Sequence, residues 1–213
     1  MGSRIMHLAI GNKLKDLIDI KDYNRFNIGC ILPDANTIEA NSRSNSHYKV
    51  RICNGEKKTY DLNKFRIDFQ DKILVDDLYL GYYMHLVQDV LYRKFIYDTY
   101  KWNPYISENV NKLHNDYALL NSYIIEKYNI ENNLTMPKNF NNESINKIHS
   151  FDVKLLLNEL KFDFNLYDTG SIFFFTKEMA EEYIDSAVQV CADELNLLKE
   201  NKPSLKVLDY MWK

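Results

Sequence analysis

The stretch Gly81-Tyr-Tyr-Met-His-Leu-Val-Gln-Asp89 decides how the rest of this chain is read. It lies inside residues 71–101, which contain no proline and a single glycine, and which therefore predict one long helix. Apolar residues occur almost all the way round it, among them Ile73, Leu78, Tyr82, Met84, Leu86 and Val90. A helix with no polar face has no side to give to water, so this one belongs in the middle of its domain. His85 and Asp89 are nevertheless four residues apart, which aims both side chains from one face, one above the other. An unpartnered carboxylate is very costly to bury, so something must neutralise Asp89 there. Neutral imidazole and carboxylate are good zinc ligands, and a helical turn presets their geometry. The plainer alternative is a His–Asp hydrogen bond sealing a core.

Outward from that helix, the totals describe an ordinary globular chain. The 213 residues suit one domain with a sizeable core, with 46% hydrophobic and 27% charged residues. Net charge is −3 and no basic block occurs, so no nucleic-acid partner is expected. Cys30, Cys53 and Cys191 are odd in number and widely spaced, without a CxxC. That indicates neither a disulfide framework nor a thiolate zinc site, and it fits a reducing compartment. No apolar run approaches the roughly 20 residues that span a bilayer. The start, Met1-Gly-Ser-Arg-Ile-Met-His7, has no apolar signal-peptide segment, so a cytoplasmic protein is expected.

Ser3 is placed to cap a first helix over about 4–20, with Ile5, Leu8, Leu14 and Leu17 on its apolar side and His7 turned inward. Phe26-Asn-Ile-Gly-Cys-Ile-Leu32 is a short apolar segment, and the proline after it sets Asp34 at a turn. Residues 35–46 read as loop. Tyr48–Cys53 alternates, Asn54-Gly55 is a strong two-residue turn signal, and 56–60 returns, which predicts a hairpin over about 48–60. Ser107 can cap a helix to about Tyr128, and an Asn-rich linker follows over about 129–147. Helices are expected near 150–160, 176–199 and 205–212, with Ile172-Phe-Phe-Phe175 as buried filler or a short strand. His149 reads as a solvated loop histidine before a Ser150 cap. The expectation is a mainly α single domain around a long buried helix, with residues 1–128 as a metal-binding core and 129–213 packing on it.

Five histidines occur: His7, His47, His85, His114 and His149. Histidine is the commonest metal ligand, and His/Asp sets suit zinc and similar divalent ions. Spacing alone does not show whether these segments converge.

The succession Ser3-Arg-Ile-Met-His7, Phe26 to Asp34, Ser46-His47 and Gly81 to Asp89 resembles the bacterial zinc-dependent phospholipase C family. It looks most like the short cytoplasmic members described only as hydrolases. The resemblance covers roughly residues 1–120 and lies in the order and spacing of the motifs. It implies one zinc held by Asp34, His47, His85 and Asp89, and a second held by His7 with Asp89 bridging. It also implies Asp34 as a general base. The family's HxxxE pair is not reproduced, because Ala118 stands four residues after His114. At most two metal ions are therefore expected, with His114 and Asp116 as further candidates for a metal or phosphate contact. The function implied is a zinc-dependent phosphoester hydrolase acting on a small phosphoester. One alternative is an HD-type nucleotide phosphohydrolase, disfavoured by the lack of an adjacent His-Asp pair. The other is a non-catalytic helical protein with a structural metal site.

Overall fold

Short polar side chains start most of the helices. Ser3, Asp22, Asp61, Asp76, Asp152 and Thr176 each accept a hydrogen bond from a first-turn backbone amide, satisfying a donor that a helix start leaves bare. The computed structural model describes residues 2–37, 45–165, 170–202 and 205–212. Its helices are α1 (Arg4–Leu14), α2 (Tyr23–Ile31), α3 (Leu62–Asp68), α4 (Asp77–Lys94), α5 (Asn109–Lys127), α6 (Ser144–His149), α7 (Val153–Asp163) and α8 (Lys177–Lys199). Strands β1 (Lys49–Ile52) and β2 (Lys57–Tyr60) form one antiparallel hairpin, with Lys49 opposite Tyr60 and Ile52 opposite Lys57. The architecture is mainly α, as the sequence predicted.

Helix α4 is the axis of the fold, buried continuously from Leu78 to Val90. Helices α1, α2, α3 and α8 and strand β2 pack around it. It is shorter than the 71–101 run. Asp76 caps its start while also pairing with Arg25, and the backbone widens into a π-helical turn over Phe95–Thr99 at its end. Helix α8 lies against α1 and α4, and α7 lies against α1 and the Leu32–Asp34 turn. One apolar core thus draws residues from both halves of the chain. Arg25 binds Asp76 at 2.6 Å and Glu143 at 2.9 Å, tying the starts of α2, α4 and α6 together.

Several local expectations are corrected. Helix α1 stops at Leu14, and Leu17 beyond it is exposed. The hairpin loop is four residues, Cys53–Glu56, because Cys53, Asn54 and Gly55 all take positive φ where a two-residue turn was expected. The apolar segment 26–32 is mostly helix α2. Glu108, in the left-handed region, precedes α5 in place of a Ser107 cap. Part of the 129–147 linker folds as a 3-10 turn at Phe140–Asn142 and as most of α6. Phe175 is buried, but Ile172 and Phe173 are exposed. The last segment forms only a 3-10 turn over Val207–Tyr210. Most of the loop expected at 35–46 lies outside the described residues. Among the described residues no helix is long and apolar enough to cross a membrane, and the three cysteines are free thiols.

Candidate metal centre

Four segments distant in sequence deliver five side chains to one spot beside α4. His7 comes from α1, Asp34 from the 3-10 turn after α2, His47 from the turn before β1, and His85 and Asp89 from α4. Each is buried, with Asp34 the most accessible at 6%. Neighbours fix the ring orientations. His85 Nδ1 donates to the Cys30 carbonyl at 2.7 Å, and His7 Nδ1 donates to Gln88 Oε1 at 2.6 Å. The Ser46 hydroxyl donates to the Pro33 carbonyl at 2.9 Å, so it presents its oxygen to His47 Nδ1 at 3.1 Å. The Tyr82 hydroxyl holds the Ser46 carbonyl at 2.5 Å and so pins that turn. In each imidazole Nδ1 carries the proton and Nε2 is left as a lone-pair donor, the arrangement that metal-ligating histidines take from their outer partners.

Those Nε2 atoms meet the carboxylate oxygens at distances that suit shared coordination better than hydrogen bonding. His47 Nε2 is 3.2 Å from His85 Nε2, 3.4 Å from Asp34 Oδ1 and 3.5 Å from Asp89 Oδ2. His85 Nε2 is 3.7 Å from Asp89 Oδ2. Two ligands each about 2.0–2.1 Å from a tetrahedral zinc stand about 3.4 Å apart, which matches this spread. The other oxygen, Asp89 Oδ1, faces His7 Nε2 at 3.6 Å and accepts from the Gly2 amide at 3.2 Å. Asp89 therefore turns one oxygen to His47 and His85 and the other to His7.

Within this cluster, His7 Nε2 and Asp89 Oδ2 are buried with no hydrogen-bond partner among the described residues. Such atoms carry a large desolvation cost unless something fills the gap between them. A divalent cation could fill it with this donor set. Within it, His7, His85 and Asp89, and likewise Asp34, His47 and His85, form groups that could hold an ion.

The electrostatics favour a cation as well. Burial, then the neighbouring His7 imidazole, push the His85 imidazole down to about 3, so it is neutral and free to donate its lone pair. Burial alone would raise the Asp34 carboxyl. The close contact with His47 and the electrostatic influence of the surrounding His85, His47 and His7 imidazoles outweigh that and hold it well below the usual carboxylate range. Asp89 is likewise held low, since positive charge around it, the imidazoles included, outweighs its burial.

A cleft of about 530 Å³ opens on this cluster at Gly2 and Asp34. Arg4, Arg93, Tyr97, Trp102, His114 and Tyr117 are among the residues of its walls. His114 is thus a wall residue, exposed and outside the ligand cluster. Asp116, the other candidate for a metal or phosphate contact, lies outside the ligand cluster. Its Oδ1 accepts from the Phe173 amide at 2.8 Å, and its Oδ2 accepts from Phe174 and Phe175 at 2.8 and 2.9 Å. The carboxylate is consumed in anchoring that segment. His149 is buried between Tyr48 and Phe151, not solvated, and Asp152 rather than Ser150 caps the next helix.

Sequence reasoning missed Gln88, which orients His7, and Arg93, which faces the cleft. Arg93 had a readable signal: it continues the four-residue spacing His85, Asp89, Arg93 along one helix face. Gln88 had none, because its partner is 81 residues away.

No family model, no curated protein and no solved structure matches this chain.

Proposed function

We propose that the protein is a zinc-dependent phosphoester hydrolase, phospholipase C-like in its ligand set, with a centre made of His7, Asp34, His47, His85 and Asp89. The observation that carries this reading is the opening of the cluster on one side only. The other four side chains are all but fully buried, whereas Asp34 borders both the cluster and the cleft. A structural metal site is closed on every side, and a catalytic one keeps an accessible position. Three imidazoles and two carboxylates, with no thiolate, suit zinc or another borderline divalent ion. When bound, such an ion would raise the acidity of a water and offset charge on phosphoryl oxygens.

The chain's own residues then have definite tasks. His47 and His85 present Nε2 as the lone-pair donor because their Nδ1 atoms are committed to Ser46 and the Cys30 carbonyl. Asp34 holds the attacking water in line. The water oxygen forms a bond to phosphorus while the ester P–O bond breaks, its electron pair leaving with the alkoxide. The water proton passes through Asp34 to that departing oxygen. Asp34 is a weak base in these surroundings, so it relays the proton rather than keeping it. Burial around the centre excludes bulk water from everything but the cleft side.

Elemental analysis of the purified protein, with a generic phosphodiester and phosphomonoester assay on wild type and Asp89→Ala, tests the reading. Wild type should carry zinc and hydrolyse at least one substrate, and the variant should lose roughly 100-fold or more. Equal activity in the two proteins would sink it, even with zinc present.

A further inference from the structure

Two arginines line the cleft, and they differ in how their charge is used. Arg4 is spent: Glu159 binds it at 2.8 Å and Asp163 at 2.6 Å. Among the described residues Arg93 has no carboxylate in ion-pair contact. Its guanidinium donates to the Tyr97 hydroxyl at 2.5 Å, reaches the Tyr60 hydroxyl at 3.4 Å and lies over the Trp212 ring at 4.9 Å. Its buried Nε has no hydrogen-bond partner among the described residues. Burial works against the charge, but Tyr60, Tyr97 and Asp89 more than offset that, so the group stays protonated. Arg93 is also one helical turn beyond Asp89, on the face that carries the metal cluster. A partly buried cation with no carboxylate in ion-pair contact among the described residues, at the mouth of such a site, is arranged to meet an anion that arrives from outside.

We propose that Arg93 receives the anionic phosphoryl oxygens of the substrate and restricts the cleft to phosphoesters bearing at least one full negative charge. The identity of the anion rests on the hydrolase reading above, while the anion site itself is tested separately. A guanidinium offers paired N–H donors that match two phosphoryl oxygens, which an ammonium cannot do. Tyr60, Tyr97 and Trp212 hold the group in place, so little rotamer freedom is lost when the anion docks.

The test uses inorganic phosphate as the probe on metal-loaded wild type, Arg93→Gln and Arg93→Lys. Phosphate affinity is read by calorimetry and by competition against hydrolysis, alongside metal content and KM. Arg93→Gln should weaken phosphate roughly 10- to 100-fold and raise KM with metal content unchanged. Arg93→Lys, which keeps the charge without the fork, should fall in between and carries the test if the glutamine variant does not fold. Phosphate bound equally by wild type and Arg93→Gln, or by neither, would overturn the proposal. Arg93-dependent phosphate binding in a wild type that hydrolyses no phosphoester would uphold the anion site and defeat the hydrolase reading instead.

Discussion

Gly29 and Gly81 lie against each other where α2 crosses α4, so close that neither could carry a side chain. A Cβ on Gly29 would stand 2.2 Å from the Leu78 carbonyl oxygen, and one on Gly81 would stand 2.0 Å from that of Phe26. The obstructing atoms are backbone, which cannot swing aside. This contact brings the end of α2 down onto the metal-binding face of α4. It sets the Cys30 carbonyl 2.7 Å from His85 Nδ1 and starts the turn that carries Asp34.

Gly81→Ala should therefore act on stability and on the centre together. Overpacking of this kind costs about 1–3 kcal/mol or more. The urea midpoint, measured with chelator present, should fall accordingly, and zinc affinity should drop as His85 loses its backbone partner. A variant as stable as wild type would show that the helices do not cross this closely.

Removing a metal ion held by this cluster should lower the melting temperature, because an ion bound by side chains from four separate segments would bind only the folded arrangement. At a free metal concentration of 1,000 times Kd the stabilisation would be about 4 kcal/mol. Calorimetric scans before and after chelation, then after zinc is restored, read this directly. A transition that chelation does not move would argue against a bound ion.

Asp116→Ala should destabilise the protein while leaving its metal content intact. The lost hydrogen bonds join an ionised carboxylate to three backbone amides and are worth about 1.5–3 kcal/mol each before compensation by water. Proteolysis should become faster around residues 172–176. Loss of zinc without loss of stability would return Asp116 to the centre.

Acid should unfold the protein partly through His149. Burial, then the nearby His47 imidazole, lower this imidazole to about 4, whereas the unfolded chain takes up the proton near 6.5. The contribution is thus complete above about pH 6.5 and is lost as pH falls toward 4. Allowing for the part of the ring that solvent reaches, it amounts to on the order of 1–2 kcal/mol. His149→Phe should flatten the stability profile across that window, compared by denaturant midpoints from pH 7 to 4. Parallel profiles for the two proteins would exclude His149 as the source.

How much of this was legible in the chain follows from the range of the rules that read it. Periodicity and capping act within about four residues. That was enough to recognise the buried axis around His85 and Asp89, the Ser3 cap and the hairpin, together with the imidazole and carboxylate chemistry near α4. Left to tertiary packing was the meeting of His7, Asp34, His47 and His85, because four separate segments reach one point only when α1 and α2 settle against α4. The same packing assigned Asp116 to the amides of 173–175, buried His149, left Arg93 with no carboxylate in ion-pair contact among the described residues and opened the cleft beside Asp34. In those cases the deciding partner lies tens of residues away or more, and local spacing carries no information about which distant group will fill a neighbouring position.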